Sequence, residues 1–327
     1  MKIGIVGVGL LGGSMAAALK GKMKNEVEIV AFSSERTLEK AKKMSLFSEF
    51  HTYDEIATNL DGIEILFLCS PIKVILEHIK IISQSPKLKT KMIVTDVGST
   101  KSIIMQTASD FLSHRSDIVY IGGHPMAGSE FKGIEANDPF LYENAIYVLT
   151  PAPTTSDELV NKLLNMVKLV GAIPLIMEPT KHDQVVAGIS HLPQMMATGL
   201  VDMISKEENS MLSKTLCAGG FRDMTRIASS QYRMWEDIVE TNKANIFSMI
   251  DLYISELQTI KQSIIDNTLG EIFENARVTR EGIAKGTRGL IQPNYEILVR
   301  VPDEPGMLLK ISTILASEHI NIKDITL

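Results

Sequence analysis

The sequence predicts a doubly wound α/β domain, an all-α region after it and a partial α+β segment at the end. Three observations carry that prediction. Short β-branched runs alternate with helical stretches as far as Met177, the strand runs stop from Pro179, and a strand pattern returns only beyond a glycine-rich, basic stretch at 279–294. The strand runs are KIGIVGVG (2–9), VEIVAF (27–32), IEILFLCS (63–70), KMIVTDV (91–97), DIVYIGG (117–123), AIYVLT (145–150) and AIPLIM (172–177). Strands spaced by helix-length segments read as βαβ units around a mostly parallel sheet, because a parallel pair needs a crossover that a helix supplies.

From 179 to 285 the chain is rich in Met, Ile and Leu at helical spacing, with few Gly or Pro. The run from Met234 to Ile265 predicts one long helix. Several helices with apolar residues on more than one face bury some of them against a partner subunit, so a homodimer through this region is expected. The stretch TREGIAKGTRGLIQPN reads as a linker, followed by a strand (YEILVRV), a turn (DEPG), a helix (MLLKISTILASEH) and a strand (INIKDITL). The expected domains are therefore 1–178, 179–285 and 286–327.

Composition excludes several classes. With 45% hydrophobic and 22% charged residues the 327-residue chain is ordinary globular material, not a disordered or fibrous one. Lys+Arg of 33 against Asp+Glu of 39 gives a net charge of -6 with no run of like charges, which argues against nucleic acid or an anionic membrane as partner. The chain runs from Met1 directly into a strand pattern, and no apolar stretch reaches the ~18 residues of a membrane span, so a cytoplasmic protein is expected. Cys69 and Cys217 lack CxxC or metal spacing and read as reduced core thiols, with no metal site.

Gly7, Gly9 and Gly12 form G-x-G-x-x-G after the first strand and open a helix through Leu10 and Leu11, the Rossmann-type fingerprint. The first glycine permits the tight turn, the second lets a diphosphate approach, and the third lets helix pack on strand. Ser70 and Pro71, closing the third strand run, are grouped with the cofactor residues. In this fold an acid at the end of the second strand binds the ribose 2′-hydroxyl of NAD. Here the strand ends in Ser33-Ser34-Glu35-Arg36, with Glu35 a little late for that role. Ser33, Ser34 and Arg36 could hold the 2′-phosphate of NADP, or could simply be solvated residues capping the next helix. NAD is the expected cofactor, NADP is admitted, and the choice between them is open at this point.

His124 follows the fifth strand run, and strand ends face the ligand crevice of an open parallel sheet, so His124 is the candidate base. His51, His78, His114 and His319 stand among polar or charged residues and read as surface side chains.

Six segments together resemble the prephenate and arogenate dehydrogenases of tyrosine biosynthesis: GVGLLGGS (7–14), DVGSTK (96–101), GGHPMAGSE (122–130), HDQVVAGISHLP (182–193), GGFRDMTRIA (219–228) and MWEDI (234–238). The ending, VPDEPGMLLKISTILASEHINI, resembles the start of an ACT regulatory domain, an arrangement of Gram-positive members. The resemblance spans essentially the whole chain. It implies NAD(P)-dependent oxidative decarboxylation of prephenate, or of arogenate, with a homodimer and tyrosine as a candidate effector.

Residue by residue, the resemblance makes His124 the general base and Ser99 the serine that hydrogen-bonds both this histidine and cofactor or substrate. Ser99 also stands where it could cap a helix over 101–108. Arg226 matches the arginine that binds a substrate carboxylate, with Arg222 as local competitor, and a guanidinium offers the planar fork a carboxylate prefers. Glu130 matches an acid that pairs with this arginine, and Ser129 is a donor to the substrate side chain. Two departures stand out. The family often writes HLPH where this chain has His191-Leu192-Pro193-Gln194, so Gln194 can donate a hydrogen bond to substrate but adds no charge, while His191 is either a ligand or a structural residue. An ACT domain needs βαββαβ, and here only βαβ is present. Two rival readings are a β-hydroxyacid dehydrogenase or imine reductase, for which Lys243 is the tempting catalytic lysine, and a non-catalytic dinucleotide sensor.

Overall fold

The structure, a computed structural model, describes residues 1–128, 131–283, 299, 301–302, 304–318 and 320, which fall into two units, Met1–Leu290 and Ile291–Leu327. In the first unit, β1 (Lys2–Val6), β2 (Glu28–Phe32), β3 (Glu49–His51), β4 (Ile65–Leu68), β5 (Met92–Asp96), β6 (Ile118–Pro125), β7 (Ile146–Pro151) and β8 (Ile173–Ile176) form one sheet in the order β3-β2-β1-β4-β5-β6-β7-β8. Every neighbouring pair is parallel except β6 and β7. The chain winds outward in one direction from β1 to β3 and in the other from β4, so a crevice opens beyond the ends of β1 and β4, where ligands of doubly wound sheets bind.

Side-chain alternation divides the core into two layers. Ile3 and Ile5 of β1 pack with Met15 and Leu19 of α1 (Leu10–Met23) and with Leu163 and Val167 of α5 (Asp157–Leu169). Val6 turns to the other face, which is covered by α3 (Ile72–Ser83) and α4 (Ser102–Leu112) through Ile75, Ile79, Ile82 and Ile104. The short helix α2 (Glu35–Ala41) follows β2. Beyond the sheet, α6 (Pro179–Val186) continues through a π-helical turn, Ala187–His191, into α7 (Leu192–Ser205). Then come α8 (Ser210–Leu216), α9 (Gly219–Thr225), a 3₁₀ turn (Arg226–Ser229), α10 (Tyr232–Thr241), α11 (Lys243–Ile265) and α12 (Leu269–Glu281). In the second unit, α13 (Met307–Ser317) starts after Gly306, whose φ of 94° suits glycine. No helix among the described residues is long and apolar enough to cross a membrane.

Several expectations need correction. The edge strand β3 has no β-branched residue, and only its pairing with Val30–Phe32 makes it a strand. The expected helix over 234–265 is broken at Asn242, whose backbone (φ -120°, ψ 22°) leaves the helical region. His78 is not a surface residue: it lies on the buried face of α3 with Ile75, Ile79 and Ile82, and burial pushes its pKa down to about 4. His51 is partly covered, its ring stacked on Phe32, whereas His114 is exposed. Neither cysteine is fully buried. The stretch expected as a linker from 279 begins inside α12, which runs to Glu281, while its residues 284–294, His319 and most of the two strands expected at 295–301 and 320–327 lie outside the described residues.

The fingerprint glycines differ in what their space is for, and stability measurements should separate them. A Cβ on Gly12 would fall 2.3 Å from the Gly7 carbonyl oxygen, whereas one on Gly9 would meet nothing within 4 Å. Gly12→Ala is expected to cost about 1–3 kcal/mol in urea unfolding, the usual range for overpacking. Gly9→Ala is expected to stay within about 0.5 kcal/mol of the parent, so equal losses would contradict the assignment.

Candidate active site

The turn after β1 and the ends of β2 and β4 enclose a cavity of about 240 Å³ whose lining includes Gly7, Gly9, Ser33, Thr37, Lys40 and Ser70. Gly7 has φ 92°, and a Cβ there would sit 2.6 Å from Ser70 Oγ. The N-terminus of α1 has no side-chain cap, so its first amides remain for an anion. Ser70 Oγ is buried and has no hydrogen-bond partner in the structure. A glycine turn, an uncapped helix start and an orphaned hydroxyl together fit the diphosphate and adjoining ribose of a dinucleotide.

The cofactor residues expected from the sequence separate here. Ser33 is buried, with Oγ 3.4 Å from Tyr53 Oη. Ser34 precedes α2 and contacts Thr37 Oγ1 at 3.1 Å. Arg36 is exposed and not part of the cavity wall. Thr37 and Lys40 line it instead, one and two helical turns on from Ser33, a spacing that could have identified them. Pro71 lines the cavity with Ser70, whereas Leu10 and Leu11 pack against the core.

His124 lies within β6, paired opposite Val148 of β7, rather than after the strand. Its Nδ1 is 2.9 Å from His182 Nε2, and His182 Nδ1 is 2.8 Å from Asp183 Oδ1. The two oxygens of Asp183 also accept the Lys101 and Ser102 amides at 2.7 and 2.8 Å. Asp183 therefore caps α4 from a distance, the role that the sequence left as an alternative for Ser99. Ser99 is half-buried in the loop between β5 and α4. Burial opposes ionisation of Asp183, but hydrogen bonds from His182, Ser102 and the Lys101 amide outweigh it and hold its pKa below the usual value. An ionised Asp183 accepts from His182 Nδ1, which makes His182 Nε2 an acceptor for His124 Nδ1–H. The lone pair of His124 is then on Nε2.

Beneath His124 lies Asp96, fully buried and saturated with donors: Gly98 N at 2.8 Å, Tyr120 Oη at 3.0 Å, Gly123 N at 3.1 Å and the Lys101 ammonium. Lys101 Nζ also donates to the Gly123 carbonyl at 2.6 Å. Burial, then the charges of His182, Lys101 and His191, push the His124 pKa well below the ordinary imidazole value. It is neutral at physiological pH.

His191 is buried, with Nδ1 3.1 Å from Asn242 Nδ2 and its ring edge-on to Trp235. Burial lowers its pKa to about 4, which describes a neutral structural histidine. Gln194 is also buried and spends its amide on Ile227 O (3.1 Å) and Thr198 Oγ1 (3.3 Å). It thus ties α7 to the 3₁₀ turn that Arg226 opens. Arg226 is exposed on that turn, and Arg222 donates to the Cys217 carbonyl at 3.0 and 3.2 Å. Ser129 and Glu130 lie outside the described residues. Sequence reasoning missed His182, Asp183, Lys101 and Asp96 as site residues, although all four fall inside the quoted segments.

Residues 15–175 match the family model for the prephenate dehydrogenase nucleotide-binding domain, 178–277 that for the prephenate dehydrogenase dimerization domain, and 295–327 that for the ACT domain. The prephenate dehydrogenase of Bacillus subtilis is 35% identical over 98% of this chain and 86% of its own length. Among solved structures, Aquifex aeolicus prephenate dehydrogenase in complex with hydroxyphenyl propionate and NAD+ superimposes with TM-score 0.78 at 29% identity, covering 87% of this chain and 98% of that one. Synechocystis arogenate dehydrogenase gives 0.76 at 31% identity, covering 86% and 99%.

The pair beneath His124 makes a test of the site's foundation. Both side chains are 0% exposed, so Lys101→Met strands a buried carboxylate and should cost about 3–5 kcal/mol in denaturant unfolding. Adding Asp96→Asn should recover part of that loss, and strictly additive losses would contradict a direct coupling.

Proposed function

The chain belongs to the prephenate dehydrogenase family, and from that membership we propose that it converts prephenate and NAD⁺ to 4-hydroxyphenylpyruvate, CO₂ and NADH. The observation that carries the reading is the Asp183–His182–His124 chain, which leaves an imidazole lone pair at the C-terminal side of the sheet. Prephenate bears a hydroxyl on ring C4. Its oxidation removes hydride from C4 and a proton from the hydroxyl, after which the C1 carboxylate leaves as CO₂ and its electron pair aromatises the ring. When bound, NAD⁺ accepts the hydride. Gly7, Gly9 and the start of α1 would hold its diphosphate, with Ser70 alongside.

His124 Nε2 takes the hydroxyl proton as the hydride departs and returns it to the oxygen once the ring is aromatic. His182 and Asp183 support the imidazolium that exists between these steps. Ser99, in the loop beside the start of α4, orients substrate or cofactor. Arg226 takes a substrate carboxylate, with Glu130 and Ser129 nearby in sequence to the base. Gln194 and His191 act through the framework rather than on substrate, a reading supported by the bonds of Gln194 Nε2 and His191 Nδ1 to protein.

Assembly as a homodimer belongs to the same reading. Phe247, Leu252, Ile254, Leu257, Ile264 and Ile265 of α11 are all exposed in the single chain, which supports a partner over this helix. The ACT match supports a small-molecule effector, with tyrosine the first candidate from the resemblance.

The experiment is NADH formation with prephenate and, in parallel, arogenate. Turnover with prephenate is expected, and no turnover with either substrate would overturn the reading. His124→Asn should lower kcat by at least about 10²-fold, the lower range of general-base contributions.

The pH profile offers a separate check. A base is active only when unprotonated, so a pKa below 6.5 moves the acid limb of kcat/KM below pH 6.5. An acid limb at or above 6.5 would contradict the arrangement.

A further inference from the structure

The cavity that fits a dinucleotide lacks the acid that doubly wound domains commonly place at the end of β2, where Ser33 stands instead. An acid from the segment between β6 and β7 lines the same cavity. Glu135, in the 3₁₀ turn Ile134–Ala136, lines it with Lys40 of α2, and the two side chains form an ion pair. Arg36 stands close enough to add its charge to that of Lys40 in holding Glu135 ionised.

The turn that delivers Glu135 is fixed by packing. Ile134 is completely buried against α1, Asn137 Nδ2 donates to the Ile134 carbonyl at 2.7 Å, and the Asp138 amide donates to Ser14 Oγ at 2.9 Å. Gly133 precedes it with φ 87°, and a Cβ there would come 2.9 Å from Glu135 Oε2. Thr37 and Lys40 would otherwise present a hydroxyl and a cation at the end of the cavity where an adenosine ribose binds in this fold, with Arg36 outside the wall adding positive charge nearby, a set suited to a 2′-phosphate.

We propose that Glu135 is the cofactor-selecting acid of this chain, occupying Lys40 and repelling a 2′-phosphate, so that NAD is bound in preference to NADP. The inference rests on the dinucleotide reading of the cavity. It assigns selectivity to a residue about a hundred positions away from the strand end where sequence reasoning sought it, and it explains how Ser33 is compatible with NAD.

Binding measured by isothermal titration calorimetry tests it without turnover, with NAD, NADP and adenosine 2′,5′-bisphosphate as probes. Glu135→Gln should lower the ratio Kd(NADP)/Kd(NAD) by about ten-fold or more and tighten the bisphosphate correspondingly, a modest share of what like charges in a binding site cost. Adding Lys40→Met to Glu135→Gln should take most of that gain back, because the cation that receives the phosphate is gone. A ratio that stays within about two-fold of the parent's in Glu135→Gln overturns the inference while leaving the cavity a dinucleotide site. An unsubstituted protein that binds neither dinucleotide overturns both.

Discussion

The buried carboxylate of Asp96 is the constraint on which the rest of the site depends. A charge with no exposed surface must be matched by donors, and matching it draws together the end of β5, the start of α4 and the middle of β6. Both backbone groups of Gly123 are consumed in the process, its amide by Asp96 and its carbonyl by Lys101. The residue that follows is His124. The same lysine gives its own amide to Asp183, which holds His182, which holds His124, so the contacts close into a ring. Such a buried pair adds little net stability compared with an apolar core, since desolvation offsets its attraction. What it supplies is a unique position for His124.

The ring also fixes the charge state. Two carboxylates and one ammonium lie beneath or behind an imidazole that burial keeps neutral. A protonated His124 would find the Lys101 ammonium nearby, while a neutral one finds its Nδ1 proton already claimed by His182. The surroundings therefore disfavour a lasting proton on His124 Nε2.

The parts legible in the sequence are those decided over short distances. The glycine turn, the seven long strands and the α3 face follow from periods of two and about 3.6 residues, and the resembling motifs mark most of the site. His78 was legible too, since Ile72, Ile75, His78, Ile79 and Ile82 share one helical face, but its neighbours' polarity suggested a surface. The misses come from long-range contacts. Asn242 ends α10 while donating to the Asp183 carbonyl and contacting His191, a bond across 59 positions that no local pattern contains. Likewise β3 exists through its partner strand, and α4 is capped by a carboxylate 81 positions away.

The π-helical turn at Ala187–His191 makes the count of residues, as distinct from their identity, a property of the site. At about 3.6 residues per turn, His182 and His191 would face opposite ways along a regular helix. The wider turn absorbs an additional residue and swings His191 round until one Asn242 amide serves both it and the Asp183 carbonyl. Within the turn His191 is held by its contact with Asn242, while Ile189 is exposed and leaves room for other side chains. Removing one residue would restore a regular ladder of backbone bonds, yet rotate α7, and with it the Gln194 tie to the Arg226 turn, away from the histidines. Insertions and deletions are therefore constrained here more tightly than substitutions, in a segment where helix propensity by itself would favour the shorter chain.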